Sequence, residues 1–208
     1  MALYYREKSN DNSELAIWEL TESEPEAARL AAALQAMPET IKSEKRRKEY
    51  AAVRALLHEI FGTGHSLEHY PNGRPYLSSG AAQISIAHTR RFVVVLTHPD
   101  KRVGVDIECL ERDFSAVERR ALSGREISFL SKEFRSLHLA IMWSAKEALY
   151  KCMSQEDIDF ALQMRIEPFA PEESGTLCAR FLHKDQSSTT HFLKYKTVDN
   201  HILVYMFA

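Results

Sequence analysis

The stretch Val103-Gly104-Val105-Asp106-Ile107-Glu108 and, further along, Trp143-Ser144-Ala145-Lys146-Glu147-Ala148-Leu149-Tyr150-Lys151 decide how this chain is read. Strand side chains alternate between faces, so Asp106 and Glu108 share one face and Val105 and Ile107 the other. Two like charges on an otherwise apolar strand are costly to bury unless a cation or a basic partner meets them. For an isolated Asp-x-Glu, an edge strand with one wetted face is the simpler alternative; the second stretch weighs against it. On a helix, Glu147 and Lys151 lie one turn apart on one face. Exposed, such a pair contributes only about 0.3–0.5 kcal/mol and carries no function. Yet Leu139, Met142, Trp143, Ala145, Ala148, Leu149 and Cys152 make the segment apolar over much of its circumference, the mark of a mostly buried helix. Three carboxylates and a lysine that can meet at one point suit a divalent cation holding a phosphate group.

Around these stretches the pattern is mixed helix and strand. Leu3–Tyr5 and Leu15–Leu20 read as short strands, and Pro25–Met37 as an alanine-rich helix stopped by Pro38. Ile41–Phe61 is a stronger helix: Tyr50, Val53, Leu57, Ile60 and Phe61 recur at helical spacing and Gly62 ends it. Strands are expected at Gln83–Ala87 and Phe92–Thr97, then a turn at Pro99-Asp100-Lys101 that divides the chain into halves. Ser123 to Glu126 fits a capping box whose helix runs toward Ser136. The motif helix is Leu137–Met153. Four β-like runs follow, at Met164–Glu167, Thr176–His183, Thr189–Val198 and Ile202–Phe207, with Ser187-Ser188-Thr189-Thr190 as a hairpin turn.

The composition is that of an ordinary globular protein: 208 residues, 45% apolar and 27% charged. A net charge of −2 gives no basic field for nucleic acid. Cys109, Cys152 and Cys178 are odd in number and lack Cys-x-x-Cys spacing, which points to reduced thiols in a cytoplasmic protein. No secretory leader and no membrane-length apolar run is visible.

Four segments now fall into one order: Asn72-Gly73-Arg74-Pro75-Tyr76, Ile84-Ser85-Ile86-Ala87-His88-Thr89, Gly104-Val105-Asp106-Ile107-Glu108 and Trp143 to Lys151. On these the chain resembles the 4′-phosphopantetheinyl transferases, specifically the long (Sfp-type) form that activates peptide and polyketide synthetases. The resemblance implies an α+β fold of two similar halves in a pseudo-twofold arrangement, each a small, mostly antiparallel sheet packed with a long helix. Residues 1–100 would form the coenzyme A nucleotide side and residues 101–208 the metal and catalytic side, with the active site at their junction. The implied activity moves the phosphopantetheine arm of coenzyme A to a serine of an acyl or peptidyl carrier protein, releasing adenosine 3′,5′-bisphosphate. Asp106, Glu108 and Glu147 would ligate Mg²⁺, with Mn²⁺ as the alternative ion. Glu147 would act as base, directly or through a water, and Lys151 would stabilise the leaving group. Arg54, Arg74, His88, Thr89 and Lys151 would contact coenzyme A. Ala87 departs from the usual serine, so backbone N–H groups or Thr89 would replace that hydroxyl. A monomer suffices for such a layout.

The residues leave other readings open. Arg74 is also an ordinary turn arginine, and His88 a structural histidine at a strand end. The run Lys42, Lys45, Arg46, Arg47, Lys48 reads better as a solvated helix face. Glu126 matches a recurring family glutamate, though its capping role accounts for it. His65-Ser66-Leu67-Glu68-His69 matches His-x-x-Glu-His, a zinc-peptidase pattern that needs a helix to present both histidines; Gly62 and Gly64 before it and Pro71-Asn72-Gly73 after it leave little room for one. The non-enzyme rival is a coenzyme A or carrier-protein binding module of the same fold without activity.

Overall fold

The computed structural model describes residues 3–23, 25, 26, 29, 30 and 35–208. Along the chain run β1 (Leu3–Lys8), β2 (Glu14–Glu19), α1 (Glu44–Phe61), β3 (Leu67–His69), β4 (Pro75–Leu77), β5 (Gln83–His88), β6 (Phe92–His98) and β7 (Val103–Cys109). They are followed by α2 (Ser115–Ala121), α3 (Gly124–Ser128), α4 (Arg135–Met153), α5 (Phe160–Gln163), β8 (Met164–Ile166), β9 (Ser174–Leu182), β10 (Ser188–Val198) and β11 (His201–Phe207). The protein is thus α+β, and it divides between Val103 and Gly104 into two compact units.

In the first unit a four-stranded sheet has the order β1-β2-β6-β5, with every neighbouring pair antiparallel. Helix α1 lays Ala52, Val53, Leu56 and Leu57 on Ala16 and Trp18 of β2, Ile84 of β5 and Val93 and Val95 of β6. Each large aliphatic side chain buried this way contributes about 1.5–3 kcal/mol. Gly62 closes α1 with a positive φ of 75° and an N–H bond to His58 O.

In the second unit the sheet order is β7-β11-β10-β9-β8. Strand alternation sends Leu177, Ala179 and Phe181 of β9, Leu193 of β10 and Ile202 and Val204 of β11 into one core. Ile141, Ala145, Ala148, Leu149 and Cys152 of α4 fill the same core. All five are at most 1% exposed, the near-complete burial their apolar composition predicts.

Several expectations need correction. Helix α1 begins at Glu44, not Ile41, because Ile41 N–H closes a turn on Pro38 O and Ser43 is extended. The capping box at Ser123 and Glu126 is present, but its helix stops at Ser128 instead of running toward Ser136. Ser131 N–H donates to His138 Nδ1 and Ser131 Oγ accepts from Phe134 N–H, which redirects the backbone into a new helix at Arg135. The β9–β10 turn lies at 183–187; Ser188, Thr189 and Thr190 are already strand. Asp185, accepting from Ser187 N–H and Oγ, and Gln186, at φ 66°, make that turn. Strands β3 and β4 and helices α2 and α5 have no counterpart in the sequence reading. Of the helix expected at Pro25–Met37, residues 25, 26, 29 and 30 are helical, 35–37 are not, and residues 27, 28 and 31–34 lie outside the described residues.

Candidate functional site

The site of the second unit is built where β7 faces α4. Gly104 sets how close they come: a Cβ there would lie 1.9 Å from Ala148 O and 2.9 Å from Cys152 Cβ. Two residues on, β7 presents Asp106, which is 7% exposed, and then the half-buried Glu108. Helix α4 answers with Trp143, Glu147 and Lys151. Lys151 Nζ donates to Asp106 Oδ1 at 2.8 Å and to Val105 O at 3.0 Å. Trp143 Nε1–H donates to Glu108 Oε1 at 2.8 Å, and Arg112 pairs with the same carboxylate.

The charges are unbalanced. Burial, with help from Asp106 and then Glu108, pushes the Glu147 carboxyl up to about 7, against the opposing pull of Lys151 and Arg112. Glu108 is also raised, first by burial and then by Asp106, while the Trp143 hydrogen bond, Arg112 and Lys151 pull it down. Three acids thus sense one another across β7 and α4, as like charges in a low-dielectric setting must. Asp106 Oδ2 is buried without a hydrogen-bond partner among the described residues. Also among the described residues, no three His, Cys, Asp or Glu side chains are drawn together closely enough to hold a metal ion as they stand.

Behind the site, Lys146 points the other way. It is wholly buried, and Nζ donates to Ala121 O (2.6 Å), Glu126 Oε2 (2.9 Å) and Phe160 O (2.9 Å). Glu126 further accepts from Ser123 N–H, Ser123 Oγ and Ile166 N–H. This pair ties α2, α3, α5 and β8 to α4, one residue before Glu147. Glu126 therefore does more than cap a helix, and sequence reasoning missed that. It also missed Arg112, whose only sequence signal is its position four residues after Glu108.

The other expected residues lie in the first unit. The Arg54 guanidinium carbon sits 3.3 Å from the centre of the Tyr50 ring, and Nε donates to Gln35 Oε1 at 3.3 Å. Arg74 donates to Gln83 Oε1 of β5. His88 Nδ1 is 3.4 Å from Glu49 Oε1. Thr89 Oγ1 accepts from Arg91 N–H and Phe92 N–H, so its hydroxyl stabilises the β5–β6 turn. Arg54 and His88 line a cleft of about 580 Å³ together with Lys42, Arg46, Glu49 and His69. The zinc-peptidase pattern does not take the required form: Leu67–His69 is strand β3, His65 Nδ1 pairs with Ser79 Oγ, and Glu68 accepts from Tyr76 OH.

Carboxylates gathered beside a lysine, where a strand meets a helix, are the donor type that holds Mg²⁺ together with substrate phosphates in other proteins. The family model of the 4′-phosphopantetheinyl transferase superfamily matches residues 102–206, from the start of β7 through β11. The chain belongs to this superfamily of transferases, whose members use coenzyme A as substrate, commonly with a divalent metal. No curated protein matches the chain.

Proposed function

We propose that the protein transfers the 4′-phosphopantetheine arm of coenzyme A to a serine hydroxyl of an acyl or peptidyl carrier protein, as a long-form (Sfp-type) member built of two similar halves. Residues 1–100 would supply the nucleotide side and residues 101–208 the metal and catalytic side. The observation that carries this reading is Lys151 Nζ on Asp106 Oδ1 at 2.8 Å, beside a Glu147 raised to about 7 by burial and by its acidic neighbours.

The donor set fits a hard divalent cation. Asp106, Glu108 and Glu147 offer only oxygens, and among the described residues nothing donates to the buried Asp106 Oδ2, which leaves it open to a cation. Oxygen-only ligation suits Mg²⁺ or Mn²⁺. Bound there, the ion would supply charge neutralisation to the pyrophosphate of coenzyme A.

The chain's own residues account for the rest. The carrier serine Oγ attacks the β-phosphorus, a new P–O bond forms, and the bond to adenosine 3′,5′-bisphosphate breaks. Glu147 takes the serine proton, directly or through a water that it orients. Lys151 places its charge where the bisphosphate departs. Trp143 and Arg112 hold Glu108 in position. A monomer suffices, and a cytoplasmic location is part of the same proposal; among the described residues no helix is long and apolar enough to cross a membrane.

The test is incubation with coenzyme A, Mg²⁺ and a panel of apo acyl and peptidyl carriers, followed by mass spectrometry. One phosphopantetheine adduct on the carrier serine is expected. Its absence from every carrier would favour the binding module instead.

A further inference from the structure

Glu49 on α1 is a charge that the proposed reaction does not use. The residue is 4% exposed, yet among the described residues neither carboxylate oxygen accepts a hydrogen bond. A carboxylate so placed is costly unless cations surround it. Among the described residues three approach it: Lys45 Nζ at 3.5 Å, Arg46 Nη1 at 3.7 Å and His88 Nδ1 at 3.4 Å. Lys45 and Arg46 are neighbours along the same helix with more than half of each side chain in solvent, so each is a weak, screened partner. His88 comes from β5, is the least exposed of the three and has a rigid ring. It shares the wall of the 580 Å³ cleft with Glu49, Lys42, Arg46, Arg54 and His69.

We propose that Glu49 is a positioning residue for this cleft: its buried carboxylate holds His88 by Nδ1 and keeps the imidazole in its charged form, adding a fixed positive charge to the wall that receives an anionic phosphate. This rests on the proposed function for the identity of the anion, the nucleotide phosphates of coenzyme A. Among the described residues, Glu49 of α1 pairs with the ring, and Lys45 and Arg46 of the same helix pair with Glu49. Lys42, just before α1, Arg54 within it and His69 from β3 face the same space. The cations oppose ring protonation, and Glu49, buried and 3.4 Å from Nδ1, outweighs them. The other cleft histidine, His69, is itself held low by burial and by Arg54, which disfavours a competing charge on it.

The experiment is nitrogen-detected imidazole NMR of the full chain across pH, run beside calorimetric binding of adenosine 3′,5′-bisphosphate. Wild-type His88 is expected to titrate above the ordinary histidine midpoint of about 6.5. In Glu49→Gln the midpoint falls by about 1–2 pH units. The pH at which nucleotide binding weakens falls with it, while Glu49→Asp retains most of the wild-type behaviour. A merely structural Glu49 would lower melting temperature in both variants without moving the His88 midpoint. A wild-type midpoint at or below about 6.5 overturns the proposal without any variant. So does an unchanged midpoint in Glu49→Gln. If the nucleotide fails to bind at any pH while the His88 midpoint behaves as described, the Glu49 role stands and the coenzyme A reading fails.

Discussion

At the scale of single residues, the chemistry of the site turns on how Glu147 is charged. Its folded-state value of about 7 lies above the ordinary 4.5, so the folded protein holds a proton that the unfolded chain has lost. Stability from this group is therefore full below the ordinary carboxylate range and declines as pH rises through about 7. Glu108, raised for the same reason, acts in the same direction. In chelator, the melting temperature should fall as pH climbs from about 5 to 8, and Glu147→Gln should flatten part of that fall. A wild-type melting temperature that rises over the window would show that the acids are not mutually destabilising. Asp106 and Glu147 were legible in the sequence because their signal is local: acids at strand and helix spacing within apolar runs. Arg112 was not, because its place beside Trp143 arises only once the chain folds and its spacing from Glu108 alone is ordinary.

At the scale of elements, the β7–α4 contact sets the distance between the acids. Gly104→Ala pushes a methyl group into Ala148 O, so the strand and helix must separate. Such overpacking costs about 1–3 kcal/mol, and here it also pulls Asp106 from Lys151. Denaturant melts should show that loss together with reduced transfer; a fully active, undiminished variant would mean the close approach is dispensable. On the far side of α4, Lys146→Met leaves the Glu126 carboxylate buried and uncompensated, which costs about 3–5 kcal/mol. Lys146→Met combined with Glu126→Leu should recover part of the loss, as measured by the same melts. Equal losses in the single and double variants would mean that the pair does not act as a unit. The long helices and most strands were readable because burial imposes the 3.6 and 2.0 periods on their apolar residues. The three-residue strands β3 and β4 and the short helices α2 and α5 carry too few residues to show a period. The break after α3 depends on His138, which accepts from a backbone N–H seven residues earlier, and no local pattern announces it.

At the scale of the molecule, each unit has its own core and its own charged features. The acids and Lys151 sit in the second; Arg54, Arg74 and His88 sit in the first. The family match covers the second unit's span almost entirely, which is where the sequence carried its most specific motifs. First-unit residues were harder to weigh, because an arginine in a turn or a histidine at a strand end reads the same whether or not it meets a ligand. On the proposed function, Arg74→Ala should raise KM for coenzyme A about tenfold, the worth of one charged hydrogen bond, with kcat nearly unchanged. A fall in kcat at constant KM would mean that Arg74 acts on the reaction step.

The most direct measurement is the single-turnover rate of phosphopantetheine transfer by wild type and Glu147→Gln, with coenzyme A, Mg²⁺ and an accepted carrier all saturating. A positioned base contributes about 10²–10⁴ in rate, so a loss of that size in a variant with a native melting curve is predicted. Turnover close to wild type would contradict the acid cluster of β7 and α4 as the catalytic centre.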